Sequence, residues 1–149
     1  MRYKDTGEVH MDFHLATNET IEYVLSEYGQ DFLAELFRRT AQNVYRDIYN
    51  GLKNGDSQKL IEHWSYYYTR EKGAFIITEG ANEVSFHVTE CPAVRHLLAN
   101  KIPVNREFYL QMELMNNAWS EDTPFNIETS VLSEGEYTMT IRRTSNDSQ

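Results

Sequence analysis

GAFIITEGANEVSFHVTECPAVRHLL, Gly73–Leu98, is the stretch that decides the fold. Ala74–Glu79 is a short apolar run, and Gly80-Ala81-Asn82 makes a hairpin-type connection. Val84, Phe86 and Val88 then alternate with Ser85, His87 and Thr89, the period-two pattern of a strand with one buried face. At Cys91-Pro92 the period changes. Proline suits the first turn of a helix, and Val94, Leu97 and Leu98 recur at helical spacing. A short helix is therefore expected there, with those three residues facing inward.

The same periods extend in both directions. Phe125, Ile127, Thr129 and Val131 alternate, as do Tyr137, Met139 and Ile141, with Ser133-Glu134-Gly135 turning between them. Upstream the spacing is helical. Asn18 reads as the cap of a helix carrying Ile21, Val24, Leu25 and Tyr28, which Gly29 stops. A second helix carries Phe32, Leu33, Leu36, Phe37, Ala41, Val44, Tyr45, Ile48, Tyr49 and Leu52 on a wide face. Asp56 or Ser57 caps a third, with Leu60, Ile61, Trp64 and Tyr68 on one side and Gly73 as its stop. After Pro103, Asn105 caps a helix bearing Phe108, Met112, Met115 and Trp119. Hairpins segregated from helices predict an α+β fold. Because a lone hairpin is barely stable, the hairpins 74–90 and 124–143 should share one antiparallel four-stranded sheet. Helices should cover one face of it, with Phe86 and Ile127 beneath those of residues 31–52 and 105–120. The expected organisation is a single domain over 1–149, with an irregular N-terminal segment at 1–16 and a frayed tail at 144–149.

Composition limits the function classes. The 149 residues include 14 Lys and Arg against 23 Asp and Glu, for a net charge of −9. A sequence-independent grip on nucleic acid needs clustered cations, so no nucleic-acid partner is expected. One cysteine excludes an internal disulfide and a multi-cysteine zinc ribbon. No apolar run approaches the ~18 residues that a membrane span needs, so no membrane partner is expected either. The opening MRYKDTGEVHMDFH has no apolar core of a signal peptide. A soluble cytoplasmic protein follows as the expectation. Ten tyrosines suit half-buried surfaces and point to a homodimer. Tyr66, Tyr67 and Tyr68 beside Trp64 cannot all share one helix face. They read as a groove or oligomer contact, or as a helix buried on more than one side.

The chemistry centres on Cys91, where a strand ends and a helix begins. Backbone N–H groups at a helix start favour thiolate, the nucleophilic form, and can cradle an anion. The other reading is a buried, inert cysteine. Pocket access from one side of the helix start is expected. Glu90 adjoins the cysteine as a candidate base, or as a charge complementing the helix start. His87 is either exposed or in a pocket beside Cys91. Arg95, one turn along, can hold a substrate carboxylate, because guanidinium matches that geometry. His10 and His14 have the i, i+4 spacing of a metal pair, but no third ligand lies nearby. No metal and no cofactor are expected. There is no phosphate-binding glycine loop, G-x-S-x-G elbow or H-E-x-x-H.

Taken together, HMDFHLATNETIEYVLSEYG at His10–Gly29, EHW at Glu62–Trp64, VTECPAVRHLL at Val88–Leu98 and the closing strands resemble the L-2-amino-thiazoline-4-carboxylate hydrolase family. The resemblance covers nearly the whole chain, and its sharpest element is Glu90–Arg95. It implies hydrolysis of a small cyclic amidine-like ring, opened by water to N-carbamoyl-cysteine. Cys91 matches the family's E-C-P cysteine and would be nucleophile or substrate anchor. Glu90, His87 or an N-terminal histidine would move protons, and His10 and His14 match the histidine-bearing segment. Family members often carry further cysteines after the E-C-P helix and near the last strand. Here those stretches read Pro103–Tyr109 and Gly135–Thr138, without cysteine, so descent with lost activity is also implied. The arrangement also resembles small-molecule-binding domains of the vinyl-reductase-like kind, which implies a non-catalytic ligand-binding or regulatory role.

Overall fold

The computed structural model describes residues 10–144. Residues 1–9 and 145–149, most of the segments expected to be irregular or frayed, lie outside the described residues. The chain is α+β. Helices α1 (Phe13–Tyr28), α2 (Gln30–Arg39), α3 (Arg46–Lys53) and α4 (Gln58–Arg70) precede the hairpin of β1 (Ala74–Glu79) and β2 (Glu83–Glu90). Helices α5 (Pro92–Ala99) and α6 (Leu110–Ser120) follow, then the hairpin of β3 (Phe125–Ser133) and β4 (Glu136–Arg143).

Both hairpins join one antiparallel sheet in the order β1-β2-β4-β3, as the alternation requires. The register sets Val88 against Tyr137, Phe86 against Met139 and Val84 against Ile141, with Ile127 on the far side of Ile141. These residues form one apolar face. The opposite face carries Ser85, His87, Thr138, Thr140 and Arg142. α4 covers Phe86, whose ring lies 5.4 Å from that of Trp64 and 5.5 Å from that of Tyr68. The expectation had left α4 out of this cover; Ile48 and Leu52, of residues 31–52, join the same core cluster. α6 runs along β3, as expected. Of the aromatic run on α4, Trp64 and Tyr68 are buried and Tyr66 alone is exposed, so most of that surface is consumed inside the fold.

Three local expectations change for physical reasons. Helix α1 begins five residues before Asn18, so residues 13–16 are helical rather than irregular. Its buried stripe is His14, Asn18, Ile21 and Val24; the first half is polar, which hid it from an apolar period. Asn18 is not a cap but a clamp. Its amide donates to Pro103 O at 3.2 Å and its Oδ1 accepts the Asn105 N–H at 3.1 Å. The expected second helix is broken by a π-helical turn, Thr40–Val44, where Tyr45 N–H reaches back to Thr40 O at 3.1 Å. In the same turn Ala41 O accepts the Trp119 indole N–H at 3.0 Å. Finally, Leu98 faces outward, and Pro92, Ala93, Val94 and Leu97 form the buried side of α5.

Candidate functional site

Cys91 caps the N-terminus of α5, as expected from Pro92 at the first helical position. Its N–H donates to Gly135 O at 2.9 Å, which ties the β3–β4 turn to the helix start. Gly135 is required there. Its φ is +79°, and a Cβ would stand 3.3 Å from Val94 Cγ1. The Gly135 N–H donates in turn to Tyr109 Oη at 2.8 Å.

Cys91 is 3% exposed, against the expectation of pocket access. Burial pushes its thiol above the ordinary value. The Val94 N–H, the Tyr137 hydroxyl and the Ala93 N–H oppose that rise without reversing it, and no regular side-chain capping bond forms. The expectation of a favoured thiolate therefore fails as well, because desolvation outweighs the helix start.

What surrounds the sulfur is a chain of phenols. Tyr137 Oη donates to Cys91 Sγ at 3.6 Å, and the Tyr68 and Tyr137 hydroxyls are hydrogen-bonded to each other. Tyr67 stands edge-on to Tyr68 at 4.9 Å, and the nearby Glu71 adds to burial in holding its phenol protonated. Glu71 is itself buried at the end of α4, where its Oε2 meets His14 Nε2 at 2.8 Å. Burial raises the phenols of Tyr67, Tyr68 and Tyr137, so all stay protonated as hydrogen-bond donors. α1, α4, α5 and β4 thus converge on one interior cluster: His14, Tyr67, Tyr68, Glu71, Cys91 and Tyr137. No buried side-chain polar atom among the described residues lacks a partner.

Of the candidate catalytic and substrate-binding residues expected from sequence, only Cys91 and His14 reach this cluster, beside Tyr67 and Tyr68 of the aromatic run. Glu90 points out to Arg95, whose Nη1 donates to its Oε1 at 2.7 Å. Arg95 also donates to Lys72 O at 2.9 Å and Glu71 O at 3.1 Å, closing the carbonyl end of α4. His87 lies on the other face of the sheet, its Nε2 2.8 Å from Glu136 Oε1. His10 is exposed ahead of α1, so it and His14 do not form one helical pair. No group of three potential metal ligands occurs among the described residues. Tyr67 and Tyr68 had read as a groove or oligomer contact or as a helix buried on more than one side, and Tyr137 only as a strand residue. Glu71 continues the spacing of Trp64 and Tyr68, at i+7 and i+3, but a carboxylate just before Gly73 reads as an exposed helix end.

No family model matches the chain, and no curated protein matches it. Among solved structures it is similar to the Fe(II) unliganded H-NOX protein from K. algicida, at 16% identity and a TM-score of 0.31, covering 93% of this chain and 65% of that one. An alanine-to-glycine mutant of that protein gives 17% identity and the same TM-score of 0.31, over 92% of this chain and 64% of the other. The chain thus spans a little under two thirds of the length of those proteins. No described helix is long and apolar enough to cross a membrane.

Proposed function

We propose that the chain is a small-molecule-binding domain whose ligand enters the cluster of Tyr67, Tyr68, Glu71, Cys91 and Tyr137. One observation supports this: a carboxylate, a thiol and three phenols are gathered in a closed interior that apolar side chains would fill at lower cost. Burial raises the Cys91 thiol and the phenols of Tyr67, Tyr68 and Tyr137 together, and perturbed titratable groups cluster at functional sites. The chemistry of the cluster selects the ligand class. The Glu71 carboxylate accepts N–H groups, the phenols donate to ring nitrogens or carbonyls, and aromatic walls suit a flat ring. A small planar heterocycle bearing an amidine-like N–C–N group fits all three, and would displace His14 from Glu71. The acidic chain with a buried thiol suits a reducing compartment such as the cytoplasm.

Calorimetric titration with 2-aminothiazoline-4-carboxylate, benzamidine and 2-aminoimidazole tests the proposal. Binding of at least one is expected, lost in Glu71→Gln and kept in Glu90→Gln. A protein that binds none of them, or binds equally well as Glu71→Gln, overturns it.

The hydrolase reading keeps one observation in its favour. Cys91 does cap a helix, with the Ala93 and Val94 N–H groups directed at sulfur. Covalent attack on the ring carbon would require the thiol to lose its proton and the cluster to open first. Release of N-carbamoyl-cysteine from 2-aminothiazoline-4-carboxylate, abolished in Cys91→Ser, would establish it; no release from the native chain would eliminate it.

A further inference from the structure

The polar interior cluster is closed, yet its walls are not held alike. The buried apolar residues of α4, α5 and β4 all belong to the main core, Trp64, Leu97 and Met139 among them. Those of α1 and α2 do not. Ile21, Val24 and Leu33 form a separate small core, completed from α6 by Leu114 and half-buried Leu110. Of the apolar residues in 10–39, Leu15 alone packs against the main core, and it is half-buried.

The remaining ties of α1 and α2 to the rest of the chain are polar. His14 meets Glu71, and Asn18 is bonded to Pro103 O and to Asn105, whose Nδ2 donates back to Asn18 O at 3.1 Å. On the surface Arg38 Nε donates to Glu121 Oε2 at 2.8 Å. Water replaces such bonds at small net cost once the groups part, whereas it cannot replace apolar packing. The border between the two cores falls in the π-helical turn Thr40–Val44. Ala41 is the first fully buried residue of the main core, and at Tyr45 the backbone leaves helical geometry, with φ −99° and ψ 36°. Element ends of this kind absorb the dihedral change of a hinge.

We infer that α1 and α2 form a flap over the polar cluster, hinged at Thr40–Tyr45, and that its lifting admits the ligand to Glu71 and Cys91. The purpose of the flap rests on the ligand-binding reading above; its motion does not. Lifting takes His14 from Glu71 and Asn18 from Asn105 while the sheet, α4 and α5 stay packed. Entry through any other wall would break the main core, which amounts to global unfolding. His14 is the flap's stopper. With the flap down it satisfies a buried carboxylate that would otherwise stand unpaired, and a ligand N–H takes over that bond.

The test follows alkylation of Cys91 in the native full chain without ligand, read at that residue by peptide mass. Ile21→Ala opens a hole in the small core and should speed labelling at least about tenfold. Leu52→Ala weakens the main core; it should lower the thermal melt yet leave labelling within about twofold of native. Asn18→Cys combined with Asn105→Cys, once oxidised, ties the flap down and should slow labelling of Cys91 at least about tenfold, reversibly on reduction. Labelling that rises more in Leu52→Ala than in Ile21→Ala overturns the inference, because the sulfur is then reached by global unfolding. So does a disulfide that forms and leaves the rate unchanged. A heterocycle that binds the oxidised double variant as fast as the reduced one also overturns the flap while leaving the site standing. Failure of all three heterocycles to bind the native chain, with labelling that obeys the flap, removes the ligand reading alone.

Discussion

Cys91 is held by hydrogen bonds that serve packing as much as chemistry. Because its thiol is buried and raised, alkylation of the native protein at pH 8 should be slower than that of the urea-unfolded protein by orders of magnitude. Equal rates would show that the sulfur is accessible. Tyr137 links two partners, so Tyr137→Phe strands the Tyr68 hydroxyl in the interior. It should cost about 1–3 kcal/mol in urea unfolding, whereas an exposed phenol such as Tyr66→Phe should change little. His63 gives a pH dependence. It lies between Tyr45, at 4.9 Å, and Trp119, at 6.2 Å, and burial lowers its pKa from 6.5 to about 4. Between those values the unfolded chain takes up a proton that the folded chain refuses. Stability from this residue is therefore full above 6.5 and falls as pH drops toward 4, by roughly 3 kcal/mol. His63→Phe should flatten that part of the stability–pH curve; an unchanged slope would assign the loss to other groups. Sequence placed Cys91 at a helix start from the end of the alternation at Val88, from Pro92 and from the spacing of Val94, Leu97 and Leu98. It did not show the phenols closing over the sulfur, since Tyr68 and Tyr137 are 69 residues apart and meet only in the folded core.

Secondary-structure elements were readable where one period runs unbroken. β2 and β4 alternate cleanly, and their hairpins emerge within a residue or two of the turn signals. Helix interiors were less legible. Apolar spacing continues through Thr40–Val44, yet the backbone there widens to a π-turn, and the Trp119 indole that binds Ala41 O comes from a distant helix. α1 was shortened for the opposite reason, because its early buried residues, His14 and Asn18, are polar partners of Glu71 and Asn105. The joint between α4 and β1 gives a sharp expectation. A Cβ on Gly73 would stand 2.8 Å from Pro92 Cδ and 3.0 Å from Glu90 O. Gly73→Ala must therefore push β1 away from the α5 start, at a cost of about 1–3 kcal/mol in chemical unfolding. Gly80→Ala, whose nearest contact is 3.4 Å, is the control and should lose less.

At the scale of the molecule, the apolar interior is divided. A large cluster lies between the sheet, α3, α4, α5 and α6, and it includes Phe86, Leu97, Trp119 and Met139. A smaller one, of Ile21, Val24, Leu33 and Leu114, sits between α1, α2 and α6. Composition announced enough apolar material for a core; it carried no sign that the material would be split, because the split depends on where Gly29 folds α1 back on α2. Unequal clusters imply unequal free energies of opening. In amide hydrogen exchange, α1 and α2 should release their protons together and well before β2 and β4, in a step short of global unfolding. Uniform protection across the chain would contradict this. Since His14 leaves Glu71 whenever α1 detaches, the small cluster also sets a clock: the buried carboxylate meets water only as often as those two helices breathe.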